Sequence, residues 1–177
     1  MRRHGKGTEL RDQVIRSQAR ALINEKIANA SEMSALGVDP CLIRFEPIDY
    51  AALLVSDTWQ KSVYPWSSVS QWKVKDAKGF DLALWYDQIL CGMCYATPRK
   101  SRLRIKIILL EGKPEGIHPL KGMVAPLALR AVDLYALMLG CKAIEIQQPE
   151  PHVVDYYLTL GFRFDESGRL VISVGGF

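Results

Sequence analysis

Leu139-Gly140-Cys141-Lys142-Ala143-Ile144-Glu145-Ile146, followed by Asp155-Tyr156-Tyr157-Leu158-Thr159-Leu160-Gly161-Phe162, decides the fold of this 177-residue chain. Gly140 closes an apolar helical stretch over residues 123–139, because a residue without Cβ turns left-handed at little cost. An alternating run then reads as a strand over residues 141–147. A short helix over 152–160 ends at Gly161 in the same way, and Ser167-Gly168 turns a last hairpin between 162–165 and 170–174. Immediately upstream, Arg102-Leu103-Arg104-Ile105-Lys106-Ile107-Ile108-Leu109-Leu110 alternates strictly before becoming wholly apolar, the clearest strand in the chain. A helix between two such strands makes a parallel crossover.

Further out, residues 80–86 and 90–96 are apolar runs joined by Asp87-Gln88, a hairpin pattern. Residues 41–46 form a first strand ended by Pro47, and Asp49 caps a helix through Trp59. Residues 63–78 are polar and irregular. Residues 9–30 read as a helix with Leu10, Val14, Ala21 and Leu22 near one stripe and Arg11, Arg16 and Arg20 largely away from it. Residues 31–40, with Gly37 and an Asp-Pro step, read as a linker. The expected class is α+β: a mixed, mostly antiparallel sheet flanked by helices, with an extra N-terminal helix. The division is a basic helical appendage and linker over 1–38 and a main domain over 39–177.

Hydrophobic residues make up 49% and charged residues 24%, enough for a full core and a solvated surface. No apolar run approaches the roughly 18 residues of a membrane span, and no apolar block follows the basic start, so neither a membrane partner nor a secretory signal is expected. The net charge of +4 is local. Residues 1–30 hold seven Lys/Arg against Glu9, Asp12 and Glu25, and the remaining 147 residues balance at 16 of each sign. Cys91-Gly92-Met93-Cys94 has metal or redox spacing, but on a strand residues three apart face opposite ways, and no second pair or histidine completes a zinc site. Buried free thiols in a reducing cytoplasm are the expectation.

The element order, with its Leu-Gly-Cys strand entry and Tyr-x-x-Leu-Gly-Phe ending, resembles the GNAT superfamily of acyl-CoA-dependent N-acyltransferases over roughly residues 41–174. The resemblance implies acetyl-CoA, or a related thioester, as cosubstrate and direct attack by a primary amine. Tyr157 occupies the place of the general acid that protonates the departing thiolate. The resemblance also puts the pantetheine arm along the strand end at Leu109 and Leu110. Pyrophosphate would bind the helix start at Lys121, Gly122, Met123, Val124 and Ala125, where backbone N–H groups meet a positive helix end. That stretch departs from the family's Gln/Arg-x-x-Gly-x-Gly/Ala pattern, and Glu150 stands where an asparagine is common. A domain that has lost catalysis is therefore a second reading: a GNAT-like binding module engaging nucleic acid or a protein.

Glu111 at the strand end is the first candidate for general base and His118 the second; a plain surface carboxylate and loop histidine are the alternatives. Trp59, Tyr64 and Trp66, with Trp72, lie in the segment that usually lines the acceptor site. They form either a recognition wall or a cover over the sheet. Arg99, Lys100, Arg102, Arg104 and Lys106 form either a solvated strand face or a phosphate-binding patch that, with the basic helix, contacts RNA or DNA. The acceptor classes are an amine-bearing small molecule, a peptide or an aminoacyl-tRNA. The N-terminal helix packs on its own domain, pairs with a second copy as a homodimer, or meets a partner. No metal is expected.

Overall fold

The structure, a computed structural model, describes residues 6–98, 100 and 103–177; Arg2, Arg3, Arg99 and Arg102 lie outside the described residues. The helices are α1 (Lys6–Ala28), α2 (Ser31–Ala35), α3 (Tyr50–Ser56), α4 (Val69–Lys75), α5 (Val124–Leu139) and α6 (Val154–Thr159). The strands are β1 (Ile43–Glu46), β2 (Phe80–Tyr86), β3 (Ile89–Thr97), β4 (Arg104–Gly112), β5 (Ala143–Ile146), β6 (Arg163–Phe164) and β7 (Leu170–Ser173). They build a seven-stranded sheet in the order β1-β2-β3-β4-β5-β7-β6. β4 and β5 run parallel, bridged by α5, and the other neighbours are antiparallel. This is the mixed, mostly antiparallel α+β architecture expected.

Local rules account for most boundaries. Asp49 accepts a hydrogen bond from Ala52 N at 2.9 Å and starts α3. Gly140, at φ 76°, ends α5. Asp87, at φ 50°, turns the β2–β3 hairpin. The first strand begins later than expected because Asp39 accepts from Cys41 N and caps a short 3-10 turn over Pro40–Leu42. β4 runs two residues beyond the expected end, to Gly112. The segment 63–78, expected to be irregular, contains α4, held down by buried Val69 and by Trp72 against the Tyr95 ring at 5.5 Å.

Two apolar layers sandwich the sheet. One face packs on α5 and α1 through Leu129, Val132, Tyr135, Ile23 and Ile27, with Phe80 stacked on Tyr135 at 4.3 Å. The other is covered by Trp59, Trp66, Val69 and their neighbours. The N-terminal helix, set apart by its charge, shares the first of these cores: Ala19, Ile23 and Ile27 are fully buried. Asn24 also clasps the exposed edge of β1, donating to the Phe45 carbonyl at 3.1 Å and accepting from its N–H at 2.8 Å. A covered edge is protected from pairing with another chain.

The expected apolar stripe of α1 is reversed. Leu10, Val14, Ala21 and Leu22 face solvent, whereas Arg16 and Arg20 turn inward with Ile23 and Ile27. The cause is Asp81 of β2, whose side chain is wholly buried. Its carboxylate accepts from Arg20 Nη2 at 2.8 Å, from Lys73 Nζ at 2.7 Å and from Ile48 N at 2.7 Å. Arg20 also donates to the Asp81 carbonyl and lies over the Phe80 ring, and Arg16 donates to the Ala77 carbonyl. A buried carboxylate needs paired cations and full hydrogen bonding, so helix α1 presents its arginines to the sheet.

The cysteine pair is also placed differently. Cys91 is the extra residue of a β-bulge, since Leu90 faces Trp85 and Gly92 faces Leu84. The bulge breaks the two-residue alternation, so Cys91 and Cys94 join the same core layer rather than opposite faces. Both are free and buried, and burial raises both thiol pKa values. No cluster of potential metal ligands occurs among the described residues, and no described helix is long and apolar enough to cross a membrane.

Removing the carboxylate of Asp81 leaves two cations without their shared anion. Asp81→Ala should lower stability by about 3–5 kcal/mol, read as a shift in the urea unfolding midpoint, with a midpoint near that of the unmodified chain counting against the clamp.

Candidate active site

β4 outruns its parallel neighbour. Pairing with β5 ends at Ile107 opposite Ile146, with Gln147 N donating to the Ile107 carbonyl at 3.1 Å. β4 continues for the five residues Ile108–Gly112, paired only with β3. Ile108 is itself a bulge residue, because Tyr95 faces Leu109 and Ala96 faces Ile107. The bulge swings the alternation, so Leu109 is buried in the second core layer while Leu110 packs on the first. An unpaired strand edge beyond Ile107 can accept an extended, amide-bearing chain.

The start of α5 faces the same end of the sheet. Val124 sits against Gly92 and Gly112, where a Cβ built on Gly92 would lie 2.3 Å from Val124 Cγ1 and 2.9 Å from the Glu111 carbonyl. The helix has no side-chain cap and no acidic residue in its first turn. The N–H groups of Gly122, Val124 and Ala125 have no protein partner among the described residues. Met123 N donates to the Leu120 carbonyl, and Pro126 lacks an N–H. Gly122, at φ 81°, and Lys121 are exposed beside them. These orphan donors, on the positive end of a 16-residue helix, suit a phosphate-bearing group.

Tyr157, on α6, is buried in the first core layer, which also holds Val124 and Cys94. Gly161, at φ 103°, reverses the chain so that Phe162 N donates to the Tyr157 carbonyl at 3.1 Å. The buried Phe162 ring then meets Tyr157 edge-on at 5.5 Å and fixes its orientation. Tyr157 is 8% exposed, whereas Tyr156 is 41% exposed. Burial raises the Tyr157 phenol pKa, reinforced by neighbouring Cys94, Tyr64 and Tyr156. The phenol is therefore neutral, with its proton in place, throughout the neutral pH range.

Glu111, the other residue singled out for catalysis, is tied to the segment between α3 and α4. Its Oε2 accepts from Ser62 Oγ at 2.8 Å and from Trp66 Nε1 at 2.7 Å. Glu115 accepts from Gln60 N at 3.1 Å and Lys61 N at 3.4 Å. The two carboxylates thus pin residues 60–66 onto the β4 extension. Tyr64 is half-buried, edge-on to Trp66 at 6.1 Å, and its pKa is raised by burial first and then by Glu111 and Glu150. Among the aromatics expected at an acceptor site, Tyr64 comes to the Tyr157 region. Trp59 and Trp66, at 5% and 3% exposure, instead cover the sheet, their rings in the second core layer. His118 is buried in the loop before α5, with its pKa lowered by burial and by Lys113 and Lys121.

Two cations of the basic strand face are paired within the domain. Arg104 pairs with Asp165 at 2.8 Å and Glu145 at 3.6 Å, and Lys106 pairs with Glu145 at 3.5 Å. With Arg16 and Arg20 turned inward, four of the cations that suggested a nucleic-acid surface are engaged within the domain. Sequence reading missed the Ser62–Glu111–Trp66 bridge, the Glu115 anchor and the approach of Cys94 to Tyr157. Their partners lie 45 to 63 positions apart along the chain, and no local pattern signals such a pairing.

No protein-family profile matches this chain, and no curated protein matches it. Solved structures do. The ribosomal-protein-S18-alanine N-acetyltransferase from Escherichia coli superposes with a TM-score of 0.54 at 11% identity, over 75% of this chain and 94% of that one. Mutant forms of the spermidine/spermine N-acetyltransferase from Vibrio cholerae give 0.54 at 15%, over 75% and 94%. A Bacillus subtilis acetyltransferase in complex with CoA gives 0.53 at 20%, over 74% and 98%. The chain has the GNAT fold.

The contact between α5 and the sheet predicts a contrast between two glycines. Gly92→Ala should lower the melting stability by about 1–3 kcal/mol, since a backbone carbonyl blocks the new methyl. Gly112→Ala meets its neighbours at 3.5 Å and beyond and should leave the melt nearly unchanged; equal effects would contradict the packing of the helix start.

Proposed function

We propose that this chain is an N-acyltransferase that moves an acetyl or similar acyl group from acyl-CoA to a primary amine. The observation that supports it most is the unpaired edge of β4 beside an uncapped helix start, with a buried, ring-clamped Tyr157 in the same core layer as Val124. The fold supports it, as do structures of the same fold described as N-acetyltransferases or bound to CoA.

Acetyl-CoA would supply the activated thioester. In this reading the N–H groups of Gly122, Val124 and Ala125, with Met123 shaping the turn and Lys121 adding charge, hold the pyrophosphate. The backbone of Leu109 and Leu110 pairs with the pantetheine amides. Tyr157 donates its proton to the sulfur as the C–S bond breaks. Burial penalises the departing thiolate as it penalises a phenolate, so that proton has a ready acceptor at this spot. Glu111 orients the incoming amine with the carboxylate oxygen not held by Ser62 and Trp66, and receives its proton directly or through water. Tyr64 lines the acceptor side.

Titration with acetyl-CoA should raise the melting temperature, since ligand at 100 times its dissociation constant adds about 2.7 kcal/mol; an unmoved melt at millimolar ligand counts against the proposal. Tyr157→Phe should retain that thermal shift while losing about 100- to 10,000-fold in turnover. Undiminished turnover would remove the phenol from the mechanism.

A further inference from the structure

Fastening α1 to the sheet by its arginines fixes what its other side presents. With Ala19, Ile23 and Ile27 in the core and Arg16 and Arg20 bonded to sheet-side carbonyls, the opposite face carries Leu10, Val14, Ser17 and Ala21. All four are exposed, Leu10 at 62% and Val14 at 46%. Their spacing of four, three and four residues is that of a heptad seam, which lines one side of a helix and packs lengthwise against a second helix. Nothing in the acyl-transfer reading uses this face.

The seam is uneven along its length. Its two large residues, Leu10 and Val14, come first, and its two small ones, Ser17 and Ala21, follow. A parallel helix of the same sequence would set large on large and small on small, leaving the second half open. An antiparallel one sets Leu10 against Ala21 and Val14 against Ser17. Large then meets small throughout, as close packing requires.

Charge selects the same arrangement. Arg11, Gln18 and Glu25 recur at seven-residue intervals along one flank of the seam, and all three are exposed. Neither Arg11 nor Glu25 has an ion-pair partner among the described residues. In antiparallel helices this flank faces its own copy. With Leu10 on Ala21, Arg11 lies opposite Glu25, Gln18 opposite Gln18, and Glu25 opposite Arg11. Such a surface is complementary to itself about a two-fold axis, and each contact is made twice.

We propose that the outer face of α1 binds a second copy of this chain, helix against helix and antiparallel, to form a two-fold dimer. The seam spans about 16 Å at 1.5 Å per residue, so the association is of the small, reversible kind. It is independent of acyl transfer, and neither reading depends on the other.

Sedimentation equilibrium of the full chain between about 10 and 500 µM should show reversible association of monomer to dimer. Arg11→Glu and Glu25→Arg lie at exposed positions and should leave the melting temperature unchanged. Each puts like charges into both flanking contacts and should weaken the dimer by about tenfold or more. Combining the two in one chain restores opposite charges and should restore the dimer, which a general effect on folding or solubility would not do. A monomer over the whole range, a dimer indifferent to either single reversal, or failure of the double exchange to recover association would each overturn the proposal.

Discussion

A mismatch in strand length governs the candidate site. β4 extends five residues past the point where β5 stops, and a bulge at Ile108 redirects its side chains there. Backbone polar groups on a buried or half-buried strand require partners, so an edge left unpaired inside a sheet is a place for another chain-like molecule. α5 begins over the same edge with its first N–H groups unused, and α6 buries Tyr157 in the core layer that also holds Val124 and Cys94. Two incomplete hydrogen-bonding arrangements meet at one end of the sheet.

Asp81 plays the corresponding part for the architecture. Its carboxylate draws Arg20 from α1 and Lys73 from α4 to a single buried point, joining helices that cover opposite faces of the sheet. The cationic excess of the first 30 residues is thereby partly consumed inside the domain. Glu145 and Asp165 do the same for Arg104 and Lys106. What looks like a basic surface in one dimension becomes a set of internal and lateral ion pairs in three. The long-range attraction for polyanions that such a surface would provide is correspondingly reduced.

The parts of the fold legible in the sequence are those set by rules acting within a few residues. Gly140 and Gly161 end helices because only a residue without Cβ turns left-handed cheaply. Asp49 caps α3 through a bond to the residue three positions on, and Asp87-Gln88 turns a hairpin through the left-handed backbone of Asp87. The Leu-Gly-Cys and Leu-Gly-Phe signatures carried the fold assignment because they report such turns in a fixed order. The α1 stripe and the Cys91/Cys94 faces were misread because each depends on a distant partner: a buried carboxylate 61 residues away in one case, and a bulge set by strand register in the other.

The candidate site divides along the same line. Tyr157, Glu111 and residues 121–125 could be named from their places next to turns and strand ends. That Glu111 is bound to Ser62 and Trp66, and that Trp59 and Trp66 turn into the second core layer, are matters of packing between elements. Sequence by itself determined the order and ends of the elements, because backbone conformation and capping are local. Tertiary structure decided which faces are buried and which charges are matched, because burial and electrostatic pairing are properties of the assembled layers and of no single segment.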